Sequence, residues 1–231
     1  LNACCIKRIN KFMMDIHVHK EVSIPVGKVI LGGELIIPSK AKAIIVFSHG
    51  SGSSRFSSRN QKVAKYLHKK HFGTLLFDLL TEEEDKEYHN RFDIGLLTKR
   101  LAGATEWLER IPAAKNCRIG YFGASTGAAS ALKAAAILPQ IHAVVSRGGR
   151  PDLAMDDLHN VEAPTLLIVG SLDYDVLQLN KEAYIQLECE KKLEVVEGAT
   201  HLFEEQGTME RVCELAAAWF EKYLQQVAVK K

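Results

Sequence analysis

The chain has 231 residues, which is enough for one domain, or two small ones, with a buried core. Its 47% hydrophobic and 25% charged residues are typical of a globular protein and exclude a disordered or fibrous one. Thirty Lys and Arg residues against 28 Asp and Glu residues give a net charge of +2, which does not indicate a nucleic-acid partner, and no apolar run is long enough to cross a membrane.

The N-terminal segment begins LNACCIKRINKF and lacks the apolar core of a signal peptide. We therefore expect a loosely ordered extension over 1–14, followed by a single domain over 15–231. The cysteines are five, an odd number, and none are spaced as C-x-x-C. Neither a disulfide framework nor a zinc cluster is indicated, and a reducing, cytoplasmic compartment suits this composition.

Eight short apolar or alternating runs predict β-strands. The first two, 15–24 and 28–37, alternate like half-buried strands and can pair as an antiparallel hairpin through the turn at Pro25-Val26-Gly27. The later runs are 42–50, 73–80, 118–123, 142–149, 164–170 and 192–198. Those at 42–50, 118–123 and 164–170 are continuously apolar, which is typical of strands covered on both faces.

Helical patterns separate most of the later runs. They cover 57–71, 93–110, 125–138, 176–189 and 207–226. This alternation predicts an α/β fold, with a mostly parallel eight-stranded sheet and helices on both faces. Ligands bind such sheets beyond the carboxyl ends of the strands. The loops that should converge there are 48–56, 79–91, 123–127, 147–157, 171–176 and 198–205.

Residues 123–127 read Gly-Ala-Ser-Thr-Gly, a G-x-S-x-G pattern between a predicted strand and a predicted helix. A helix N-cap explains Ser125 alone, because a glycine at 127 costs a first helical turn about 1 kcal/mol relative to alanine. A nucleophile on a sharp strand-to-helix turn explains both glycines, since neighbours without a Cβ let strand and helix approach closely. The pattern therefore favours Ser125 as a nucleophile.

A serine hydroxyl needs a neighbouring base, and three histidines follow Ser125 in the chain. On a serine turn of this kind the chain order is serine, then acid, then histidine. His142 begins a strand, at the wrong end of the sheet, and His159 comes before the candidate acids of the seventh strand's loop. His201 lies in the loop after the eighth strand, where it could reach Ser125. We therefore expect His201 to be the base.

The loop after the seventh strand offers two acids, Asp173 and Asp175. Asp173 lies just past the strand end, where its carboxylate could hold His201 in the useful tautomer and stabilise the protonated ring. Asp175 is expected to begin the next helix instead, since a carboxylate is favourable there. Such a site requires no metal and no cofactor.

The segment FSHGSGSSRF at 47–56 is a glycine-rich loop that follows the third strand. Its Ser51 backbone N–H, together with that of Thr126, is the candidate pair of donors for a developing oxyanion. A phosphate-binding loop is the competing interpretation, but the G-K-[ST] ending and the G-x-G-x-x-G pattern are both absent. The His49 ring is expected to fix the loop.

Two histidines near the end of the first predicted helix, His68 and His71, lie beside Lys69 and Lys70. The spacing and the neighbouring charges predict a solvated helix end. No chemical role is assigned to either residue.

These motifs resemble the α/β-hydrolase superfamily over about 28–226. Its dienelactone-hydrolase-related branch, which includes modules fused to phosphoribosyltransferases, is matched by HGSGSSRFSSRN, TLLFDLLTEEE, YFGASTGAA, SRGGRPDLA, PTLLIVGSLD and GATHLFEE. The resemblance implies an α/β-hydrolase fold and hydrolysis of ester or related acyl bonds through an acyl-enzyme. True dienelactone hydrolases carry cysteine as the nucleophile, whereas position 125 is serine, which points to a carboxylesterase-like serine hydrolase.

Several other functions stay open on the same residues. A peptidase, a thioesterase and a cofactor-free haloperoxidase can all use one triad, and a low-turnover binding module can retain the pocket of a hydrolase. The short connection before the seventh strand holds little beyond a helix at 152–158, so we expect no large cap. Small, accessible esters fit such a site best, with no nucleic-acid or membrane partner. The sequence does not indicate an oligomeric state.

Four arginines lie on the loops of the predicted active edge: Arg55, Arg59, Arg147 and Arg150. One or two of them are candidates for binding a substrate carboxylate, because the guanidinium fork suits bidentate anions. The alternative is that they pair with acidic residues of the neighbouring loops. Those acids are Asp152, Asp156, Asp157 and the run 82–85.

Overall fold

The computed structural model describes residues 16–225, and the extension expected over 1–14 lies outside them. The strands are β1 (Ile16–Val26), β2 (Val29–Pro38), β3 (Ala43–Ser48), β4 (Gly73–Phe77), β5 (Arg118–Ala124), β6 (Ile141–Arg147), β7 (Thr165–Gly170) and β8 (Lys191–Val196). They form one sheet in the order β1-β2-β4-β3-β5-β6-β7-β8. Pairing is antiparallel for β1–β2 and β2–β4 and parallel for the remaining neighbours. The predicted sheet, with its antiparallel hairpin, is confirmed.

The helices are α1 (Ser58–Lys69), α2 (Glu82–Lys86), α3 (Ile94–Glu109), α4 (Thr126–Ile137), α5 (Tyr174–Gln186) and α6 (Thr208–Leu224). Short 3₁₀ segments cover Tyr88–Phe92, Pro112–Ala114 and Pro151–Asn160. The five predicted helices are confirmed, with boundaries that shift by a few residues. The segment at 151–160 takes the place of the short helix expected at 152–158, and the connection carries no large cap.

Two hydrophobic cores cover the two faces of the sheet. On one face, α3, α4 and α5 pack with the β1–β2 hairpin, through residues such as Leu101, Leu132 and Ala183. On the other face, α1 and α6 pack through residues such as Leu67 and Phe220. Every residue of β3, β4 and β7 is buried, as the continuous apolar runs at 42–50 and 164–170 predicted.

The loop expected at 79–91 contains helix α2, which the sequence pattern did not predict. Thr81 and Glu84 form a capping box: the Thr81 side chain accepts from Glu84 N, and the Glu84 side chain accepts from Thr81 N. Arg100, on α3, pairs with Glu84, and Arg91 pairs with Asp85. These contacts anchor a five-residue helix that is too short to be stable alone.

His68 is buried, so the prediction of a solvated helix end is wrong for this residue. Its exposed fraction is 5%, and its Nε2 lies 2.7 Å from Thr74 Oγ1 on β4. The chain reverses after α1 through His71, which has a φ of 60°, and this reversal lays the last turn of the helix against β4. Burial lowers the pKa of His68 from 6.5 to about 4.

This low pKa predicts a loss of stability in mild acid. Because the folded protein binds the His68 proton less readily than the unfolded chain, the stabilisation is complete above pH 6.5 and is lost as the pH falls toward 4. The wild type should lose about 1–3 kcal/mol more unfolding free energy over that range than a His68→Gln variant. Urea unfolding at a series of pH values measures this, and exposed His142→Gln is the control. Parallel curves for wild type and His68→Gln would contradict the prediction.

Candidate active site

Ser125 lies on the sharp turn between β5 and α4, at the carboxyl edge of the sheet. Its φ is 51°, a region that side chains rarely adopt. A Cβ at Gly123 would lie 2.4 Å from Ala128 Cα, and one at Gly127 would lie 2.2 Å from the Ser48 carbonyl oxygen. Ser125 occupies the N-cap position of α4, but its side chain caps no backbone N–H. The hydroxyl is therefore not used to stabilise the helix.

The loop after β6 holds this strained turn in place. Ser125 N donates to the Arg147 carbonyl oxygen at 3.2 Å, and Arg150 N donates to the Ser125 carbonyl oxygen at 3.1 Å. On α5, the buried Asn180 amide donates to the Gly149 carbonyl oxygen at 2.9 Å. The sheet and α5 together fix the direction in which the Ser125 side chain leaves the backbone.

The structure brings His201 and Asp173 to Ser125. The distance from Ser125 Oγ to His201 Nε2 is 3.3 Å, and that from His201 Nδ1 to Asp173 Oδ2 is 2.7 Å. A ring that donates from Nδ1 to the carboxylate leaves the lone pair of Nε2 facing the serine hydroxyl. This is the arrangement in which imidazole can accept the serine proton.

Helix α5 explains why Asp173 rather than Asp175 faces the histidine. Asp173 is the N-cap residue, but its carboxylate caps no N–H of the helix and is 13% exposed, so it is free to bond His201. Asp175 lies in the first turn of α5, as expected. The loop that carries His201 is braced by Thr200, whose N and Oγ1 donate to the Glu205 carboxylate. The hydrogen bond from the Thr200 side chain lowers the pKa of Glu205.

The His49 ring fixes the glycine-rich loop, as expected. Its Nδ1 donates to the Gly50 carbonyl oxygen at 3.0 Å, and its Nε2 accepts from Leu79 N at 3.0 Å. Burial lowers the pKa of His49, which keeps the ring in the neutral form that can make both bonds. The ring thereby joins the loop after β3 to the loop after β4.

The two predicted oxyanion donors, Thr126 and Ser51, lie side by side. Thr126 is the first residue of α4, where a backbone N–H has no acceptor within the helix. The Ser51 N–H donates to Thr126 Oγ1 at 2.9 Å. To act as an oxyanion donor, the Ser51 N–H therefore has to release the Thr126 hydroxyl oxygen and donate to the substrate oxygen instead. The sequence pattern could not show this contact, because the two residues are 75 positions apart.

Two of the candidate substrate-binding arginines already have carboxylate partners. Arg150 Nε and Nη2 both donate to Asp152 at 2.8 Å, as the pairing alternative predicted. Arg55 pairs with Asp78, an acid that the sequence did not single out. Neither arginine lines the cavity beside Ser125.

Arg147 differs from the other three arginines. It lines a cavity of about 170 Å³ together with Ser125, His201 and Arg59, and it is 4% exposed. It pairs with no carboxylate in the part of the chain that the structure describes. Arg59 donates to Glu204 at 3.0 Å on the surface.

Within residues 16–225, no group of three or more His, Cys, Asp or Glu residues is placed to hold a metal ion. Over the same residues, no helix combines the length and apolar character needed to cross a membrane.

A sheet of this order, with a strained serine turn after its fifth strand, defines an α/β hydrolase. The chain belongs to the dienelactone hydrolase family, whose model matches residues 31–227. A solved dienelactone hydrolase from Anabaena variabilis is 51% identical; the match covers 91% of this chain and 99% of that one, with a TM-score of 0.88. The Pyrococcus furiosus esterase Pf2001 is 20% identical, with coverages of 89% and 93% and a TM-score of 0.74, and shows the fold alone.

Two curated relatives from Mycobacterium tuberculosis are each 54% identical over 207 residues. Both are provisionally named phosphoribosyl transferases. The match covers 89% of this chain but 46% of each relative, so the chain spans about half the length of the curated relatives that it matches.

Proposed function

We propose that this domain is a carboxylesterase-like serine hydrolase that cleaves small, accessible esters through an acyl-enzyme. The observation that carries the proposal is the line of contacts from Ser125 Oγ to His201 Nε2 at 3.3 Å and from His201 Nδ1 to Asp173 at 2.7 Å. Membership of the dienelactone hydrolase family supports a hydrolase. Ser125 and His201 are half-buried, and the connection before β7 carries no large cap, which supports small substrates that reach the serine directly.

In the proposed reaction, Ser125 Oγ attacks the ester carbonyl carbon while its proton passes to His201 Nε2. The carbonyl oxygen becomes negative and accepts hydrogen bonds from the N–H groups of Thr126 and Ser51. The protonated His201, stabilised by Asp173, then donates its proton to the leaving alkoxide, and an alcohol departs. A water molecule, deprotonated by His201, attacks the acyl-serine, releases the carboxylic acid and restores the serine.

The proposed function of this domain differs from the phosphoribosyl transferase activity for which the mycobacterial relatives are named. The segment that matches these relatives largely coincides with the segment that the dienelactone hydrolase model matches. The residues gathered around Ser125 are suited to acyl transfer, and the glycine-rich loop lacks a phosphate-binding pattern.

A fluorophosphonate probe tests the proposed nucleophile. We expect the probe to label the wild type covalently, because it reacts with serine hydroxyls that a neighbouring base activates. Labelling should be lost in Ser125→Ala and after heat denaturation, and retained in Ser58→Ala, which removes an exposed hydroxyl from α1. A wild type that the probe does not label, or equal labelling of wild type and Ser125→Ala, would reject the proposal.

A further inference from the structure

The glycine-rich loop runs from the end of β3 to the start of α1 and carries one of the two proposed oxyanion donors, the Ser51 N–H. The loop turns at Ser53, whose N–H donates to the Gly50 carbonyl oxygen at 3.2 Å. Between β3 and α1 the chain is neither helix nor strand, so no regular backbone ladder holds it. Donors stabilise an oxyanion only when they are held where the charge develops. The contacts that hold this loop are therefore part of the proposed chemistry.

Asp78, the residue that follows β4, holds the end of the loop that leads to α1. Its Oδ1 accepts from the Arg55 backbone N–H at 2.8 Å, and its Oδ2 accepts from the Arg55 guanidinium. One carboxylate thus binds both the main chain and the side chain of Arg55. Asp78 is itself fixed, because its N–H donates to the carbonyl oxygen of Gly32 on β2 at 2.9 Å. The loop is therefore tied to two strands of the sheet.

The pair formed by Asp78 and Arg55 is closely packed. The two side chains are 21% and 23% exposed. A Cβ at Gly32 would lie 2.8 Å from Arg55 Nη1, so the lack of a side chain there leaves room for the guanidinium against β2. The guanidinium carbon also lies 4.2 Å from the ring centroid of Phe56. A carboxylate bound by two donors of one partly buried residue is held more firmly than a solvated surface pair.

The residue after Asp78 fixes the other end of the loop. The Leu79 N–H donates to the His49 ring, and the same ring donates to the Gly50 carbonyl oxygen, each at 3.0 Å. Two consecutive residues after β4 therefore anchor the loop on both sides of Ser51, at Gly50 and at Arg55. Only residues 51–54 lie between the two anchored positions.

The Asp78–Arg55 pair does not face the candidate nucleophile. Both residues line a separate cavity of about 500 Å³, which is bounded by β2, the glycine-rich loop and α2. Ser53 borders this cavity and also the one beside Ser125, so the loop is the wall between them. An effect of the pair on the reaction therefore has to pass through the position of the loop.

We propose that Asp78 is a positioning residue for the oxyanion hole: through its two bonds to Arg55 it holds the Ser51 N–H where the substrate carbonyl oxygen becomes negative. The inference rests on the proposed hydrolase function and adds to it a residue that lies outside the cavity beside Ser125. Without the carboxylate, residues 51–54 are anchored at one end only, and the donor is no longer preorganised. Binding of the uncharged ester changes little, because the donor acts mainly on the transition state.

A purely structural role for the pair makes a different prediction. An ion pair that only stabilises the fold lowers the unfolding temperature when it is removed, but the molecules that remain folded keep the wild-type kcat and the wild-type affinity for an oxyanion. A positioning residue changes both of these quantities in folded molecules. The two roles are therefore separated by kinetics on protein that is known to be folded.

The kinetic test compares Asp78→Ala with Asp78→Asn, whose amide oxygen can still accept from the Arg55 N–H. Hydrolysis of 4-nitrophenyl acetate is measured where circular dichroism shows each variant folded, and kcat is expressed per serine labelled to completion by a fluorophosphonate. We expect kcat to fall at least about tenfold in Asp78→Ala and at least about threefold in Asp78→Asn, with KM within about threefold of wild type. The control is Asp157→Ala, which removes a carboxylate that is 26% exposed and pairs with Lys133, and should keep the wild-type kcat.

A reversible inhibitor, benzyl trifluoromethyl ketone, reports on the oxyanion hole itself. Ser125 Oγ adds to its carbonyl carbon, the serine proton passes to His201, and the carbonyl oxygen becomes the oxyanion of a hemiketal. We expect its Ki to rise in proportion to the loss of kcat, at least about tenfold in Asp78→Ala and about threefold in Asp78→Asn. Because Ki does not depend on the amount of active enzyme, unfolded protein cannot imitate this effect.

The outcomes separate the two proposals. A wild-type kcat and Ki in Asp78→Ala, or a lower kcat without a higher Ki, would overturn the positioning role and leave a hydrolase whose turnover requires Ser125. An equal loss in Asp157→Ala would also overturn it, since the loss would then not be specific to the loop. If Asp78→Ala does not fold, a wild-type Ki in Asp78→Asn overturns the positioning role in its place. Absence of Ser125-dependent turnover in the wild type would reject the hydrolase, and the positioning role with it.

Discussion

Replacing Ser125 by alanine is expected to lower kcat for a small neutral ester by about 10⁴- to 10⁶-fold. The reason is geometric: alanine leaves no oxygen 3.3 Å from His201 Nε2, and no hydroxyl of another residue is hydrogen-bonded to that nitrogen in the described part of the chain. Hydrolysis of 4-nitrophenyl acetate, followed by release of nitrophenolate, measures the effect. The unfolding temperature should not fall.

The control for this variant is again Ser58→Ala, which should hydrolyse the ester at the wild-type rate. A second comparison tests whether the three side chains act as one unit. Adding His201→Gln to Ser125→Ala should cost almost nothing further, because the base has no proton left to accept. Residual activity within about a hundredfold of wild type in Ser125→Ala would show that another group carries the reaction.

The second large expected effect is on stability. It is tested by comparing two glycines that occupy equivalent positions in two helices. Gly127 is the second residue of α4, and Gly95 is the second residue of α3. A Cβ at Gly127 would lie 2.2 Å from the Ser48 carbonyl oxygen and 2.4 Å from that of His49, both on the backbone that leads into the glycine-rich loop. A Cβ at Gly95 would lie 3.3 Å from Oδ1 of the exposed Asp93 side chain, which accepts from Leu96 N as the N-cap of α3.

We therefore expect alanine to have effects of very different size at the two positions. Gly127→Ala should reduce the free energy of unfolding by about 4 kcal/mol or more, because the strand and helix must separate to admit the methyl group. Gly95→Ala should change it by no more than about 1 kcal/mol, because the gain in helix propensity is set against a small shift of the Asp93 cap. Urea unfolding followed by circular dichroism measures both. A loss of similar size in the two variants would contradict the packing described around Ser125.

The sequence was most informative where one signal decided the structure. A continuous apolar run as short as 164–170 favours a buried strand, and β7 was predicted to within one residue. The convergence of Ser125, Asp173 and His201 also followed, because chain order and the carboxyl-edge rule together leave few positions for each. The sequence indicated which loops carry these three residues, but not the distances between their side chains.

The wrong or missing predictions concern contacts that a residue makes outside its own helix or strand. Helix α2 has only five residues and buries none of them, so no apolar periodicity marks it; its capping box and its pairing with Arg91 and Arg100 hold it in place. His68 looked like a solvated residue because its partner, Thr74, lies across a reversal of the chain. The sequence placed Arg147 at the active edge, but the absence of a paired carboxylate among residues 16–225 depends on where each of their acids lies in the fold.

The strained backbone at Ser125 affects how an inactive form should be made. A φ of 51° suits glycine, so alanine at this position removes the hydroxyl yet keeps the unfavourable torsion. Glycine removes both, and the more relaxed turn still leaves the neighbouring N–H groups in place. For capturing an uncleaved ester in a crystal, Ser125→Gly is therefore the better choice of trap.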